Sequence, residues 1–318
     1  MQTCFDGLRP EGVSKSDGRT GVNEDSQRTR GVDALTVIVP AYNEEAGIVS
    51  VLQQLQEALG PLGVQYEILV VDDGSTDATA DKVRSFSGEI KVVQTGRNQG
   101  YGAAIKAGIR RALYPWIMIT DADGTYPVEE IPKLLDAASD WDMVVGARTA
   151  PDAKLSGLRQ FAKWFLVKLA EYLSETEIRD MNSGMRLFRK DLAAKFLSIL
   201  PSGFSLTTTI SLAFLSEGYT IGYVPISYNK RVGRSKIRPI ADTINFLTLI
   251  LRTTVYFKPL KVILPLSGAL VLAAVAIFLY GWLVVGHQFD ITVTILILFA
   301  MQITVLGLLA DLFVKRRG

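Results

Sequence analysis

An α/β fold with a mostly parallel sheet, followed by a two-helix membrane hairpin, is predicted by three features of this sequence. From Leu35 to Val145, short apolar runs alternate with segments of helical periodicity. Two acidic clusters, Asp72–Asp77 and Asp121–Thr125, each follow an apolar run directly. Two long apolar stretches follow Val262.

Composition conceals this division. Of 318 residues, 48% are hydrophobic, and the mean hydropathy of +0.24 is high for a soluble enzyme. The apolar excess sits almost entirely after Val262. A net charge of +2 is too small to argue for a nucleic-acid partner, and none is expected. The single cysteine, Cys4, excludes an intrachain disulfide or a thiolate metal cluster and fits a reducing compartment. The single histidine, His287, restricts the available general bases.

Residues 1–33 are polar, without the hydrophobic core of a secretory signal, and read as a disordered tail or an interaction arm. The catalytic domain spans 34–232. Leu35–Val39 is a strand ended by Pro40. Glu45–Leu59 is a helix with its apolar face at Ile48, Val51, Leu52, Leu55 and Leu59. Tyr66–Val71 is a strand, Thr76–Phe86 a helix and Ile90–Val93 a strand. Tyr101–Leu113 is a helix, Trp116–Thr120 a strand, Val128–Ala138 a helix and Met143–Val145 a strand. Further helices are predicted at Leu155–Tyr172, Lys190–Leu200 and Thr207–Gly218, with a last strand at Tyr219–Ile226. Buried strands alternating with amphipathic helices imply a parallel sheet covered on both faces, with ligands beyond the carboxyl ends of its strands.

Residues 233–261 form an amphipathic interfacial segment. Its helix, Ile237–Phe257, is aromatic and flanked by Arg234, Lys236, Arg238, Lys258 and Lys261, so it suits either the lipid interface or ordinary packing. The hairpin, 262–314, follows. Val262–Val285 carries no charge, and Ile291–Val314 carries only Asp311. Each is long enough to cross ~30 Å of hydrocarbon. Lys258 and Lys261 precede the first span, a basic tail at 315–318 follows the second, and the link Gly286–Asp290 has no Lys or Arg. The excess of cations at both ends puts the catalytic domain in the cytoplasm of an integral plasma (inner) membrane protein. Small residues at Gly268, Ala269, Ala273 and Ala274 allow packing against neighbouring copies, so a homo-oligomer is possible.

The first acidic cluster reads Val71-Asp72-Asp73-Gly74-Ser75-Thr76-Asp77. Adjacent carboxylates at a strand end can accept hydrogen bonds from a nucleobase imide and ribose hydroxyls; Asp and Ser before a helix equally serve as caps. The second reads Asp121-Ala122-Asp123-Gly124-Thr125-Tyr126-Pro127. Carboxylates separated by one residue can reach one hard cation, Mg²⁺ or Mn²⁺, which would bridge a diphosphate and offset charge on the leaving group. Arg148 after a strand, and Arg231 and Lys236 in a basic loop, suit phosphate binding; the basic loop equally suits attraction to anionic lipid headgroups, with the substrate role favoured for Arg231 and Lys236.

These residues resemble the family 2 glycosyltransferases of the GT-A (Rossmann-like) fold, and most closely the polyprenyl- or dolichyl-phosphate hexose synthases. The resemblance covers roughly Leu35 to Lys236. It rests on Val39-Pro40-Ala41-Tyr42-Asn43-Glu44, the two acidic clusters, Gly146–Arg148, Asn182-Ser183-Gly184-Met185-Arg186 and the Arg231–Lys236 loop. It implies that Pro40, Tyr42, Glu44, Asp72 and Asp73 surround the nucleoside of a nucleotide-sugar donor. It also implies that Asp121, Ala122 and Asp123 hold the diphosphate and metal, and that Arg148, Arg231 and Lys236 face the phosphates. The acceptor-phosphate arginine of the family maps to Arg159, and a serine expected after it is Lys163. Many members have Gln or Ser at Thr125, and Gln and Glu where this chain has Thr207-Thr208-Thr209; the basic loop is a residue shorter than in some relatives. The Asp121–Pro127 segment resembles the glucosyl-type branch, which favours a UDP-sugar.

Transfer to a hydroxyl needs a general base. The sole histidine lies in the hairpin link, across the membrane from the predicted site. A phosphate monoester, with a second pKa of ~6, is already a nucleophile at neutral pH. The expected reaction is therefore transfer of a hexose to polyprenyl phosphate, by direct displacement with inversion. The alternatives are a hydroxyl acceptor, as in a glycolipid or polysaccharide synthase, and a non-catalytic membrane scaffold.

Overall fold

The computed structural model describes residues 31–148, 180–229, 255–286 and 290–316, with positions 168, 171, 248, 251 and 252. Among these residues the sheet has seven strands. β1 (Ala34–Ala41), β2 (Gln65–Asp72), β3 (Ile90–Gln94), β4 (Trp116–Ile119), β5 (Met143–Arg148), β6 (Arg186–Arg189) and β7 (Ile221–Ile226) lie in the order β3-β2-β1-β4-β6-β5-β7. All pairings are parallel except the two made by β6, which runs antiparallel between β4 and β5. The sheet is mostly parallel, as the alternation predicts.

β6 is the strand that the periodicity does not announce. Its four residues, Arg-Leu-Phe-Arg, carry charge at both ends, yet Arg186, Leu187 and Phe188 are fully buried. β1 differs in the other direction, because Pro40 lies within it rather than ending it. Ile38 accepts from Thr120 N–H on the β4 side, while Ala41 accepts from Asp73 N–H on the β2 side. Pro40 has the phase of Ile38, so its missing N–H faces the β4 side, where that ladder has already ended at Ile38↔Ile119.

Alternate residues of the strands feed two cores, one on each face of the sheet. Ile38, Leu69, Ile117 and Val145 pack with Ile105, Ile109, Phe196 and Phe214. Val37, Val39, Ile68 and Val144 pack with Leu52, Leu55, Ile131 and Leu134. The first core lies under α3 (Tyr101–Arg111), and under α5 (Lys190–Ala194) and α6 (Leu206–Ser216). The second lies under α1 (Ile48–Leu59) and α4 (Ile131–Ala137), with α2 (Thr79–Arg84) beside them. The buried face of α1 is Ile48, Val51, Leu52, Leu55 and Leu59, the set its periodicity predicts. Its start moves to Ile48, and that of α2 to Thr79, because the residues before each are spent on contacts between the two loops, described below.

The hairpin consists of α7 (Leu260–Tyr280), extended by a π-helical turn at Gly281–Val285, and α8 (Asp290–Lys315). Ser267, Ala274 and Ala300 are buried. A Cβ at Gly307 would stand 2.6 Å from Ile263, so the two helices cross closely there. Both are long and apolar enough to span a membrane, and only 11% of either span is buried. Their outer faces expose Leu272, Leu283, Leu312 and Phe313, unlike the core helix of a soluble protein. Ahead of α7, Phe257 packs on Phe196 with ring centroids 5.9 Å apart, and Val262 packs on the same core.

Candidate active site

The loops after β1, β2 and β4 emerge together at the carboxyl edge of the sheet, and Arg148 ends β5 on the same edge, since these strands run parallel. The loops after β1 and β2 are zipped together. Asn43 N–H donates to Ser75 Oγ at 3.0 Å, and Asn43 Oδ1 accepts from Thr76 N–H at 2.8 Å. Glu44 N–H donates to Thr79 Oγ1 at 2.9 Å, and Glu45 Oε2 accepts from Ala78 N–H at 3.1 Å. Asn43 adopts a left-handed φ of 55°, a conformation Asn tolerates better than most residues. This zipper leaves Tyr42 exposed at the rim and Glu44 partly buried. Gly74, at φ 74°, lies against the next loop, where a Cβ would be 2.6 Å from the carbonyl carbon of Arg97.

Asp72 and Asp73 are both buried. Asp72 Oδ1 accepts from Ser75 N–H at 3.0 Å, and Oδ2 accepts from Gln94 Nε2 at 3.1 Å. Asp73 accepts from Thr95 Oγ1 at 2.8 Å, from Gln99 N–H at 3.0 Å and from Gly100 N–H at 2.7 Å. Asp73 therefore ties the loop ahead of α3 to the end of β2. Both carboxylates accept on both oxygens, but Asp73 does so from three residues and Asp72 from two.

Asp121 and Asp123 flank the buried Ala122 directly after β4, and both are partly exposed. Tyr101 Oη donates to Asp121 Oδ1 at 3.0 Å. Thr125 caps Asp123, donating its N–H at 3.0 Å and its hydroxyl at 2.6 Å to Oδ1. Gly184 closes in on the other side, and a Cβ there would lie 3.0 Å from Asp121 Oδ2 and 3.1 Å from Tyr101 Oη. Gly184 N–H donates to Tyr126 Oη at 2.6 Å. Burial, and then the Asp121 charge, push the Tyr101 hydroxyl well above its ordinary value and the Tyr126 hydroxyl up to about 12. Both phenols stay protonated at neutral pH. Among the described residues no third acidic, histidine or cysteine side chain joins these two carboxylates. An all-oxygen, two-carboxylate set fits a hard divalent cation that takes its remaining ligands from phosphate and water.

Arg148, at the end of β5, grips Asp180 with two donors, Nε at 2.7 Å and a terminal nitrogen at 2.8 Å. The hydrogen bonds and charge of Asp180 raise the Arg148 guanidinium further above its ordinary range. Burial pushes the Asp180 carboxyl up, but the bonds and charge from Arg148 outweigh it and leave it below its ordinary value. Arg148 also lies over the ring of Tyr228 at 5.4 Å.

Residues 36–197 match the family described as Glycosyl transferase family 2, and residues 258–315 match the GtrB C-terminal hairpin. The chain belongs to glycosyl transferase family 2. It is similar to a dolichyl-phosphate hexose transferase of Haloferax volcanii, 33% identical over 66% of this chain and 89% of the relative. It is also similar to an undecaprenyl-phosphate mannosyltransferase of Micrococcus luteus, 31% identical over 63% of this chain and 86% of that one. In fold, the transferase resembles the glucosyl-3-phosphoglycerate synthase of Mycobacterium tuberculosis, solved with Mn²⁺, UDP and phosphoglyceric acid. The TM-score is 0.57 at 19% identity, over 70% of this chain and 78% of that one.

Of the residues expected around the substrates, the transferase brings Pro40, Tyr42, Glu44, Val71, Asp72, Asp73, Asp121, Ala122, Asp123 and Arg148 to one sheet edge. Arg159, Lys163, Arg231 and Lys236 lie outside the described residues, as do most of Leu155–Tyr172 and Ile237–Phe257. Several neighbours of the acidic pair escape sequence reasoning. Gly184 and Arg186 belong to a segment that carries the resemblance, but nothing local shows that they back the site. Arg186 is fully buried, donating to the carbonyls of Ser183 at 2.7 Å and Met181 at 2.8 Å and to Ser211 Oγ at 2.7 Å. Burial lowers its guanidinium below the ordinary value. The three threonines at 207–209 turn their hydroxyls inward: Thr208 donates to Asn182 Oδ1 at 3.0 Å, and Thr207 and Thr209 donate to backbone carbonyls.

Proposed function

We propose that this family 2 transferase moves a hexose from a nucleotide-sugar, with UDP-sugars favoured, onto polyprenyl phosphate at the cytoplasmic face of a plasma (inner) membrane. The carrying observation is that the carboxylates of Asp121 and Asp123 stand at the edge of a sheet physically coupled, through Phe196 and Phe257, to an apolar hairpin. The acceptors named for the two relatives support a lipid phosphate. The UDP and Mn²⁺ of the fold neighbour are in keeping with the donor and metal choice.

In this reading Asp72, Tyr42, Glu44, Pro40 and Val71 shape the nucleoside site, and Asp73 holds its wall in place. Asp121 and Asp123 would bind Mg²⁺ or Mn²⁺, which offsets charge on the departing diphosphate. The protonated phenols of Tyr101 and Tyr126 fix Asp121 and the Gly184 loop around that position. Arg148, with Asp180, holds the opposite wall on the phosphate side, and Arg231, Lys236, Arg159 and Lys163 are the further cations assigned to the phosphates on sequence grounds. An oxygen of the acceptor phosphate dianion forms the bond to the anomeric carbon as the bond to the diphosphate oxygen breaks. The configuration inverts and no proton need be removed, so the reaction does not call for a histidine base. The enzyme contributes mainly positioning of two anions and relief of their repulsion.

The test is product formation by the purified full chain with Mg²⁺, undecaprenyl phosphate and a panel of nucleotide-sugars, beside Asp123→Asn. A chelator-sensitive, Asp123-dependent lipid-linked sugar from one donor is expected. Transfer to a hydroxyl lipid or glycan instead would overturn the phosphate reading.

A further inference from the structure

Phe204 is the most exposed large apolar side chain of the described catalytic domain, at 78%. It is also held rigidly. Its ring stacks on Tyr101 at 5.2 Å and 21°, and Tyr101 holds Asp121. Its loop is locked to the start of α3. Ala103 N–H donates to Ser202 O at 3.1 Å, and Lys106 Nζ donates to Leu200 O at 2.9 Å. A Cβ at Gly102 would lie 2.4 Å from Pro201 O. Leu206 N–H and Thr207 Oγ1 close the far side of the loop on Gly203 and Phe204 carbonyls. A fixed apolar ring presented to water has no stabilising role in the domain's own core.

The segment that carries Phe204 also carries the contact with the membrane hairpin. Phe196 receives Phe257 at 5.9 Å, Leu200 lies in the same core, and Val262 at the base of α7 packs against it. One short stretch, Phe196–Phe204, therefore touches the root of the hairpin at one end and the neighbourhood of Asp121 at the other. A lipid whose phosphate reacts at Asp121 and whose tail stays in the bilayer must bridge these two places. We infer that Phe204 is the protein's contact for the phosphate-proximal isoprene units of the acceptor. This rests on the lipid-phosphate reading above. A hexose platform is less suited, because the ring is so widely exposed, and its apolar face matches a branched hydrocarbon.

The experiment measures kcat/KM for the full chain with undecaprenyl phosphate and with methyl phosphate, a short, soluble acceptor that has no isoprene unit, in wild type, Phe204→Ser and Phe204→Leu. Burying a phenyl group against hydrocarbon is worth roughly tenfold or more in affinity. The expected result is a loss of about tenfold for Phe204→Ser on the long acceptor relative to the short one, carried by KM. Phe204→Leu restores most of it, and the donor KM moves less than about twofold. An unchanged long-to-short ratio in an active Phe204→Ser overturns the inference. So does a loss that tracks donor KM and that Leu does not rescue, which would assign the ring to the sugar. A change confined to partition of the protein into vesicles also overturns it. A wild type that makes no lipid-linked sugar from any donor defeats the underlying reading instead.

Discussion

Gly184→Ala isolates the acidic pair from the stability of the fold. Gly184 does not have a positive φ, so alanine meets no backbone penalty there. The added methyl meets Asp121 Oδ2 at 3.0 Å, Asp121 Oδ1 at 3.1 Å and Tyr101 Oη at 3.1 Å. Ordinary contact begins near 3.4 Å, so the carboxylate must withdraw by about 0.4 Å. A misplacement of ~1 Å at a reacting centre costs about a hundredfold, so a shift of this size should lower kcat/KM about tenfold. The stability balance is small. Lost unfolded-state freedom contributes about 0.4–1 kcal/mol, against an overpacking cost of about 1–2 kcal/mol. The assay pairs steady-state sugar transfer across a Mg²⁺ titration with urea denaturation of the same preparation. The expected outcome is a tenfold loss with a raised Mg²⁺ requirement, at a stability within about 1.5 kcal/mol of wild type. Turnover and Mg²⁺ dependence within about twofold of wild type would show that the position of Asp121 does not govern the reaction.

Other predictions address the wall, the core and the membrane. Asp180→Asn breaks a pair whose side chains are 11% and 30% exposed, and should cost about 2 kcal/mol at pH 7, below the fully buried range because Arg148 keeps some solvent. The folded-state Asp180 carboxyl lies below its ordinary 3.8, so its contribution is complete above that pH and is lost as pH falls through the folded value. Urea curves of variant and wild type should therefore converge below about pH 4, and a gap that persists in acid would contradict the pairing. Thr120→Val removes a buried hydroxyl that has no hydrogen-bond partner among the described residues, and thermal melts should show a gain of about 1 kcal/mol; a loss would place a further partner there. Cys4, the single cysteine, should resist a membrane-impermeant maleimide in intact cells, whereas a Gln288→Cys variant should label from outside. The reverse pattern would invert the proposed topology.

Much of this architecture is written locally. The apolar spacing of α1 names its buried face residue by residue, because a 3.6-residue period leaves one stripe to bury. The two spans declare themselves by length and lack of charge, since a bilayer accepts little else. Both acidic clusters are recognisable as edge loops because each comes at the end of a buried strand. The sequence by itself thus determined the layered fold, the hairpin and the sheet edge at which both acidic clusters stand.

The tertiary structure decided what each polar group does there. Asp72 and Asp73 are neighbours of one type, yet Asp73 clamps a loop 26 residues away while Asp72 binds Ser75 and Gln94. Arg148 finds Asp180 at a separation of 32 residues, and Gly184 finds Tyr126 at 58. β6 is a strand because β4 and β5 leave a slot with backbone groups to satisfy on both sides, not because Arg-Leu-Phe-Arg favours extension. Periodicity reports which face of an element is buried, and it is silent on partners. A carboxylate's partner is chosen by which loops the sheet order brings within about 3 Å, and that order exists only once the chain has folded.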